Sequence, residues 1–129
     1  QLRDACQKIM QGNSEPTGAA KITLAFNLPS KFVIHTVGPI ISPNAKPTQA
    51  EENLLADCYK SCLNIAAENN LHSVAFCCIS TGEFHFPNRR AAEIAVDVVK
   101  NFLTENNLVV VFNVFKDLDL KIYQKILEE

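Results

Sequence analysis

The apolar run Val74-Ala75-Phe76-Cys77-Cys78-Ile79 stops at Ser80-Thr81-Gly82, and a helical pattern opens at Asn88-Arg89-Arg90-Ala91-Ala92-Glu93-Ile94. A strand, a short glycine-containing loop and a helix, in that order, put the loop at the carboxyl end of a strand. In an open α/β sheet that is where ligands bind. Backbone N–H groups in such a loop, beside a helix N-terminus, suit a phosphate. A plain βα connection with its loop in solvent satisfies the same pattern, and periodicity alone leaves both readings open.

The same alternation runs through the chain. Leu2, Cys6, Ile9 and Met10 fall at a helical period, ended by a C-cap glycine in Gln11-Gly12-Asn13. No N-cap and no initiator methionine precede that helix, which favours a chain that is the latter part of something longer. Ala20 to Phe26 alternates polar and apolar as a strand does, Asn27-Leu28-Pro29-Ser30 is a turn, and Phe32 to Val37 is a more buried strand ended by Gly38-Pro39. Pro39, Pro43 and Pro47 make the next connection extended.

Thr48-Gln49-Ala50-Glu51 is a capping box. It opens a long helix to about Asn70, with Leu54, Leu55, Cys58, Cys62, Ile65 and Ala66 on one face. After the strand at 73–79, a helix from about Asn88 to Asn106 should bury Ala91, Ile94, Ala95, Val98, Phe102 and Leu103. Leu108 to Val114 is the most hydrophobic run, fit for a strand covered on both faces. Asp117 can cap a last helix whose buried face carries Ile122, Tyr123, Ile126 and Leu127. Strands alternating with helices predict an α/β layered domain with a largely parallel sheet. About four strands are visible, below the usual five to six, which again suggests missing N-terminal strands.

At 129 residues the chain is one domain, 1–129, large enough to bury a core without staples. A net charge of −2 argues against a general affinity for nucleic acid or an anionic membrane, so phosphate binding should be local. No apolar run approaches the roughly 20 residues needed to span a bilayer, and the opening Gln1-Leu2-Arg3-Asp4 shows no signal peptide. Five cysteines are an odd number. Cys58 and Cys62 lie one helical turn apart, while Cys77 and Cys78, adjacent in a strand, point to opposite faces. Reduced thiols used as small buried hydrophobes in a cytoplasm fit this better than a disulfide or a zinc site.

Among candidate side chains, His35 lies near the carboxyl end of a strand, where a satisfied, partly buried histidine is the ordinary reading. His72 is a surface residue. His85 can pack against the loop or cap the following helix; alternatively it binds an anion, serves as acid or base, or ligates a metal. Glu83, the only carboxylate in the loop, can act as a general base, bind a ribose hydroxyl or simply be solvated. Phe84, Phe86 and Phe115 stand at or near loop tips, where a plain core role is less natural and stacking on a nucleobase is open to them, particularly to Phe115. The chain has no P-loop, no Gly-x-Gly-x-x-Gly, no Gly-x-Ser-x-Gly elbow and no Cys with Arg six positions on. Nucleoside triphosphate chemistry and serine hydrolysis lose most of their weight.

Five separated segments resemble one family. They are Pro16-Thr17-Gly18-Ala19-Ala20-Lys21-Ile22-Thr23, Phe32 to Pro39, Cys58-Tyr59, Ile79 to Pro87, and Phe115 to Tyr123. In order and spacing they resemble the macrodomain, a three-layer α/β sandwich with a mixed, largely parallel sheet that binds ADP-ribose. Gly82-Glu83-Phe84-His85-Phe86-Pro87 departs from the more usual loop, and looks most like the zinc-dependent branch of bacterial pathogens and fungi, which resembles protein-ADP-ribose hydrolases. The resemblance implies that backbone N–H groups of Ser80, Thr81, Gly82, Glu83 and Phe84 hold the diphosphate, with Phe84 against the ribose and Phe115 near the adenine. Gln1-Leu2-Arg3 resembles the middle of the family's first long helix. It follows that the first strands, the adenine-reading acid, the first glycine-rich loop and the zinc ligands are expected upstream, with no metal ligand in this chain. A cytoplasmic monomer that takes ADP-ribose or an ADP-ribosylated protein, and neither nucleic acid nor membrane, completes the expectation. A reader without turnover and an inactive truncated product are its alternatives.

Overall fold

The structure, a computed structural model, describes residues 16–25 and 29–128. The helix expected over 2–10 lies outside the described residues, as does part of the turn at 27–30. Among the described residues, four strands and three α-helices follow in the order β1 (Ala20–Leu24), β2 (Phe32–Thr36), α1 (Gln49–Glu68), β3 (Ser73–Phe76), α2 (Asn88–Leu103), β4 (Val109–Phe112) and α3 (Asp117–Glu128).

The strands do not form the one largely parallel sheet that alternation suggested. Among the described residues they form two small sheets, β1 with β2 and β3 with β4. The connection at 25–31 is too short for a crossover, so β1 and β2 are an antiparallel hairpin with Ala20 opposite Thr36 and Leu24 opposite Phe32. α2 supplies the crossover that lets β3 and β4 run parallel, Ser73 opposite Val109 and Phe76 opposite Phe112.

α1 starts where its capping box predicts. Glu51 N–H donates to Thr48 Oγ1 at 3.1 Å, and Thr48 N–H donates to Glu51 Oε1 at 2.8 Å. Its buried face includes Tyr59 and Leu63 besides Leu55, Cys58, Cys62 and Ala66. α2 is the middle helix, packed on α1 through Ala91, Ile94, Ala95 and Val98 and on α3 through Ala92 and Val96. That double duty explains why its buried surface is wider than the expected stripe, while Leu103 at its end stays exposed. The Arg90 guanidinium forks onto Glu52 at 2.6 and 3.0 Å, joining α1 to α2 and holding the Glu52 carboxyl below its usual range.

Two further expectations are corrected. Asp117 is the first residue of α3, not its cap, and Leu120 N–H donates to the Lys116 carbonyl at 3.0 Å. Asp117 and Asp119 sit in the first turn, where the helix dipole favours carboxylates. Val109 and Val111 are 62% and 50% exposed, so β4 is not covered on both faces. Ser73 and Ala75 opposite them are exposed as well, and helices cover only the Val74, Phe76, Val110 and Phe112 face of this sheet. A third layer is absent from this pair among the described residues. On α3, Leu127 is also exposed, while Asp119, Tyr123 and Ile126 are buried and half-buried Ile122 packs against the same cluster.

Cys58 and Cys62 are the small buried hydrophobes that the sequence suggests, but Cys77 is exposed and Cys78 half-buried, both past the end of β3. All four are free thiols. Burial lifts Cys58 above its ordinary value of 9.0, Cys78 to about 11 and Cys62 to about 12. Among these four, iodoacetamide at pH 8 is expected to modify exposed Cys77 first and buried Cys58 and Cys62 last, as peptide mapping by mass spectrometry will read. The unfolded thiols lose their protons near pH 9.0 while the folded ones keep them, so the native state holds more protons above that pH. Stability should fall as pH rises from about 9 toward 11, the reverse of the carboxylate case.

Candidate functional site

Tyr59 anchors the site from below. It is fully buried, its ring centroid lies 4.9 Å from that of Phe76, and its hydroxyl accepts the Ile79 N–H at 3.5 Å. Burial pushes the phenol well above its usual range, so it stays protonated. α1 thereby fixes the point at which the chain leaves the β3 direction and turns.

The turn uses left-handed backbone at three of six positions, Ser80 (φ 65°), Gly82 (φ 76°) and His85 (φ 65°). Between them Gly82–Phe84 forms one 3₁₀ turn. Thr81 between Ser80 and Gly82 is extended (φ −80°, ψ 168°), so the backbone turns sharply at each side of it and leaves the strand, the kind of loop that can present N–H groups to an anion. The loop is closed at its base. Phe86 N–H donates to the Ser80 carbonyl at 3.0 Å, His85 N–H to the Gly82 carbonyl at 3.0 Å, and Ile41 N–H to the Phe84 carbonyl at 2.8 Å. The Thr81 hydroxyl donates to the Cys78 carbonyl at 3.2 Å. Phe86 is no loop-tip aromatic; it is buried in the core and holds the loop down. Behind it, Asn88 donates to the buried Asp119 carboxylate at 2.7 Å, fixing the start of α2 against α3.

Gly38, at the end of the β2 segment, presses on this turn. A Cβ there would overlap Ser80 Oγ and come within 2.8 Å of Ile79 Cγ2. Gly82 is the opposite case, since a Cβ would meet nothing within 4 Å. Ser80 Oγ is buried and has no hydrogen-bond partner.

A cleft of about 970 Å³ runs between β2 and β3. Ser80, Thr81 and Phe84 line one part of it, and Cys62 and Leu71 line it from the helix side. Of the other residues singled out from sequence, Gly82 and His85 are exposed and do not line the cleft. The backbone of Glu83 belongs to the 3₁₀ turn, and its side chain lies outside the described residues. Phe115 is 87% exposed on the β4–α3 connection and is not part of the cleft. His35 makes the ordinary contact expected of it, with Nε2 2.9 Å from Thr23 Oγ1, and His72 is at the surface. Gly38 and Tyr59 are the site residues that sequence reasoning gave no role. Their signals were faint, a Gly-Pro strand end and a tyrosine beside a cysteine on a helix. Among the described residues no three His, Cys, Asp or Glu side chains converge as a metal would need. No helix among them is long and apolar enough to cross a membrane.

A left-handed turn at the carboxyl end of a parallel strand, opening on a cleft between two sheets, defines an α/β domain with a candidate anion site at the strand end. The Macro domain family model matches residues 1–95, and the chain belongs to the macrodomain family. A protein-ADP-ribose hydrolase of Treponema medium is 56% identical over 131 residues, which cover 98% of this chain and 49% of that protein. The chain thus spans about half the length of the curated relatives it matches. The Oceanobacillus iheyensis macrodomain with MES bound has a TM-score of 0.89 at 40% identity, covering 98% of this chain and 68% of its own. A Trypanosoma brucei macrodomain in complex with ADP-ribose has a TM-score of 0.82 at 31% identity, covering 94% of this chain and 50% of its own.

Proposed function

We propose that these residues supply the diphosphate-holding wall of an ADP-ribosyl hydrolase that removes ADP-ribose from modified proteins. The observation that carries the reading is the Ser80–Phe84 turn at the mouth of the cleft, in a chain 56% identical to a protein-ADP-ribose hydrolase. The turn's N–H groups hold the diphosphate, and its rigid base keeps them aimed without reorganisation when charge shifts during cleavage. Phe84 lies against the ribose, and the exposed ring of Phe115 offers a face to the adenine. Glu83 and His85 are supporting groups of the same loop.

The zinc that the resemblance implies finds no ligand set among the described residues, and no step is assigned to it. Zinc belongs to the proposal as a group held by residues beyond those described. The protein is proposed to work as a monomer in the cytoplasm.

The reading is tested with a protein that carries this chain together with the remaining macrodomain, incubated with an ADP-ribosylated protein with and without chelator. Release of free ADP-ribose is expected, and loss of release on chelation supports the zinc. ADP-ribose binding without release in either condition makes the domain a reader. Neither binding nor release overturns the reading altogether.

A further inference from the structure

α2 opens without a cap of its own. Pro87 stands at its N-cap position and makes no side-chain cap hydrogen bond, and the first turn carries Arg89 and Arg90 but no acid. A helix start favours an acceptor and a negative charge. Both come from another helix. Asp119, in the first turn of α3 and only 6% exposed, accepts from Asn88 Nδ2 at 2.7 Å, and Asn88 is the first residue of α2. Asp119 also faces Cys78 at the entry to the turn, where its charge adds to burial in raising the thiol to about 11.

The rest of the α2–α3 contact is apolar, formed by Ala92 and Val96 against Tyr123 and Ile126. Among the described residues, the Asn88–Asp119 hydrogen bond is the one that joins the two helices. Apolar contact is nondirectional, and the short side chains of Ala92 and Val96 offer α3 little to lock against. A carboxylate buried in such an interface is costly unless it is hydrogen-bonded. Sliding or rotating α3 on α2 breaks that bond and leaves the charge buried, so one hydrogen bond selects one register.

Each partner stands just behind a strand-end loop. Asn88 follows the turn, whose exit is pinned by Phe86 N–H on the Ser80 carbonyl and by Ala91 N–H on the Pro87 carbonyl at 2.9 Å. Asp119 follows Phe115 by four residues. That connection is tied at one end by Asn113 N–H on the Phe76 carbonyl at 2.7 Å, and at the other it runs into α3 through Leu120 N–H on the Lys116 carbonyl. Pairing of β3 with β4 fixes the two loops where they leave the sheet. The Asn88–Asp119 bond fixes them where they enter their helices.

We infer that Asp119, acting through Asn88, is a positioning residue that holds the Phe115 connection at one offset from the Ser80–Phe84 turn, so that the two ends of one ligand are met together. The inference rests on the reading proposed above, with diphosphate at the turn and adenine at Phe115. Asp119 is buried and meets no ligand itself; it acts on both loops by fixing where α2 and α3 begin. Its effect is confined to ligands long enough to reach both.

The test uses a protein carrying this chain together with the remaining macrodomain. It compares ADP-ribose with adenosine and with inorganic pyrophosphate, each of which can engage one loop alone. Binding is followed by NMR titration at a temperature where circular dichroism shows every variant folded. Asp119→Ala is expected to weaken ADP-ribose about 10-fold, the size of one lost ring stack, and to change either fragment by no more than about 2-fold. Asn88→Ala breaks the same bond from its half-buried side and should show the same split, which keeps the test decisive where Asp119→Ala does not fold. Asn88→Asp/Asp119→Asn exchanges donor and acceptor across the contact and should recover ADP-ribose affinity to within about 3-fold of the unaltered protein. Unchanged ADP-ribose affinity in the single variants overturns the inference. So do equal losses for all three ligands, which make Asp119 a structural residue only, and an exchanged pair that binds no better than the single variants. An unaltered domain that fails to bind ADP-ribose strikes the reading of both loops and this inference with it, whereas binding by the unaltered domain with no loss in the variants strikes the inference alone.

Discussion

Gly82→Glu in a protein carrying the whole macrodomain is expected to abolish ADP-ribose binding while leaving the protein folded. A Cβ at this position meets nothing within 4 Å, so no neighbour must move. The positive φ of 76° costs a side chain about 1–2 kcal/mol, which a domain of this size tolerates. The ligand has no such tolerance. A carboxylate placed near a diphosphate at about 4 Å meets a repulsion on the order of 4 kcal/mol per charge near a protein surface, roughly a thousandfold in affinity. Gly82→Ala separates strain from charge, because it carries the first without the second and should lose no more than about 10-fold. His85→Ala should lose less still, since its side chain is exposed and water can take its place. Calorimetry with ADP-ribose reads all three. Affinity retained within a few-fold in Gly82→Glu would leave the loop a mere connection, and the site assignment would fall.

What the sequence made legible is what local chemistry determines. The capping box starts α1 where Thr48 and Glu51 require, and the strand–loop–helix reading of 74–94 holds at its centre. Gly82 takes the positive φ that a glycine in such a loop suggests. The rest depended on partners that local pattern cannot specify. Val109 and Val111 read as buried because apolar character was taken for coverage, yet coverage needs a layer on that face. Ala92 and Val96 lie off the expected stripe because α2 has a neighbour on each side. Phe86 was grouped with Phe84 as a loop aromatic, although one is core and the other lines the cleft. One sheet became two because strand count carries no information about which edges meet. Gly38 reads in sequence only as a strand end for the same reason, as its close neighbours Ile79 and Ser80 are far away in sequence.

That contact gives the second large effect. Gly38→Ala is expected to destabilise the chain by about 1–3 kcal/mol and to displace the turn, because its Cβ overlaps Ser80 Oγ and crowds Ile79. Ser80 cannot simply swing aside. It is buried, it already sits at a left-handed φ, and its carbonyl is engaged by Phe86 N–H. The same residue offers the remedy. Its hydroxyl has no partner, so Ser80→Ala removes a buried unsatisfied polar atom and should leave stability of this chain unchanged or slightly raised. In the double variant Gly38→Ala/Ser80→Ala the worst overlap is gone, while the 3.2 Å approach to Ser80 Cβ and the 2.8 Å approach to Ile79 Cγ2 remain. Partial recovery is therefore expected, with a coupling between the two sites of about 0.5–3 kcal/mol. Thermal or denaturant unfolding of the four proteins closes the cycle. Additive losses would show that the two backbones do not meet as described. If Ser80→Ala leaves the fold intact but weakens ADP-ribose binding in the whole domain, the unpartnered hydroxyl is reserved for a group that arrives later. Equal affinity would leave Ser80 as a spacer that sets how close β2 comes to the turn.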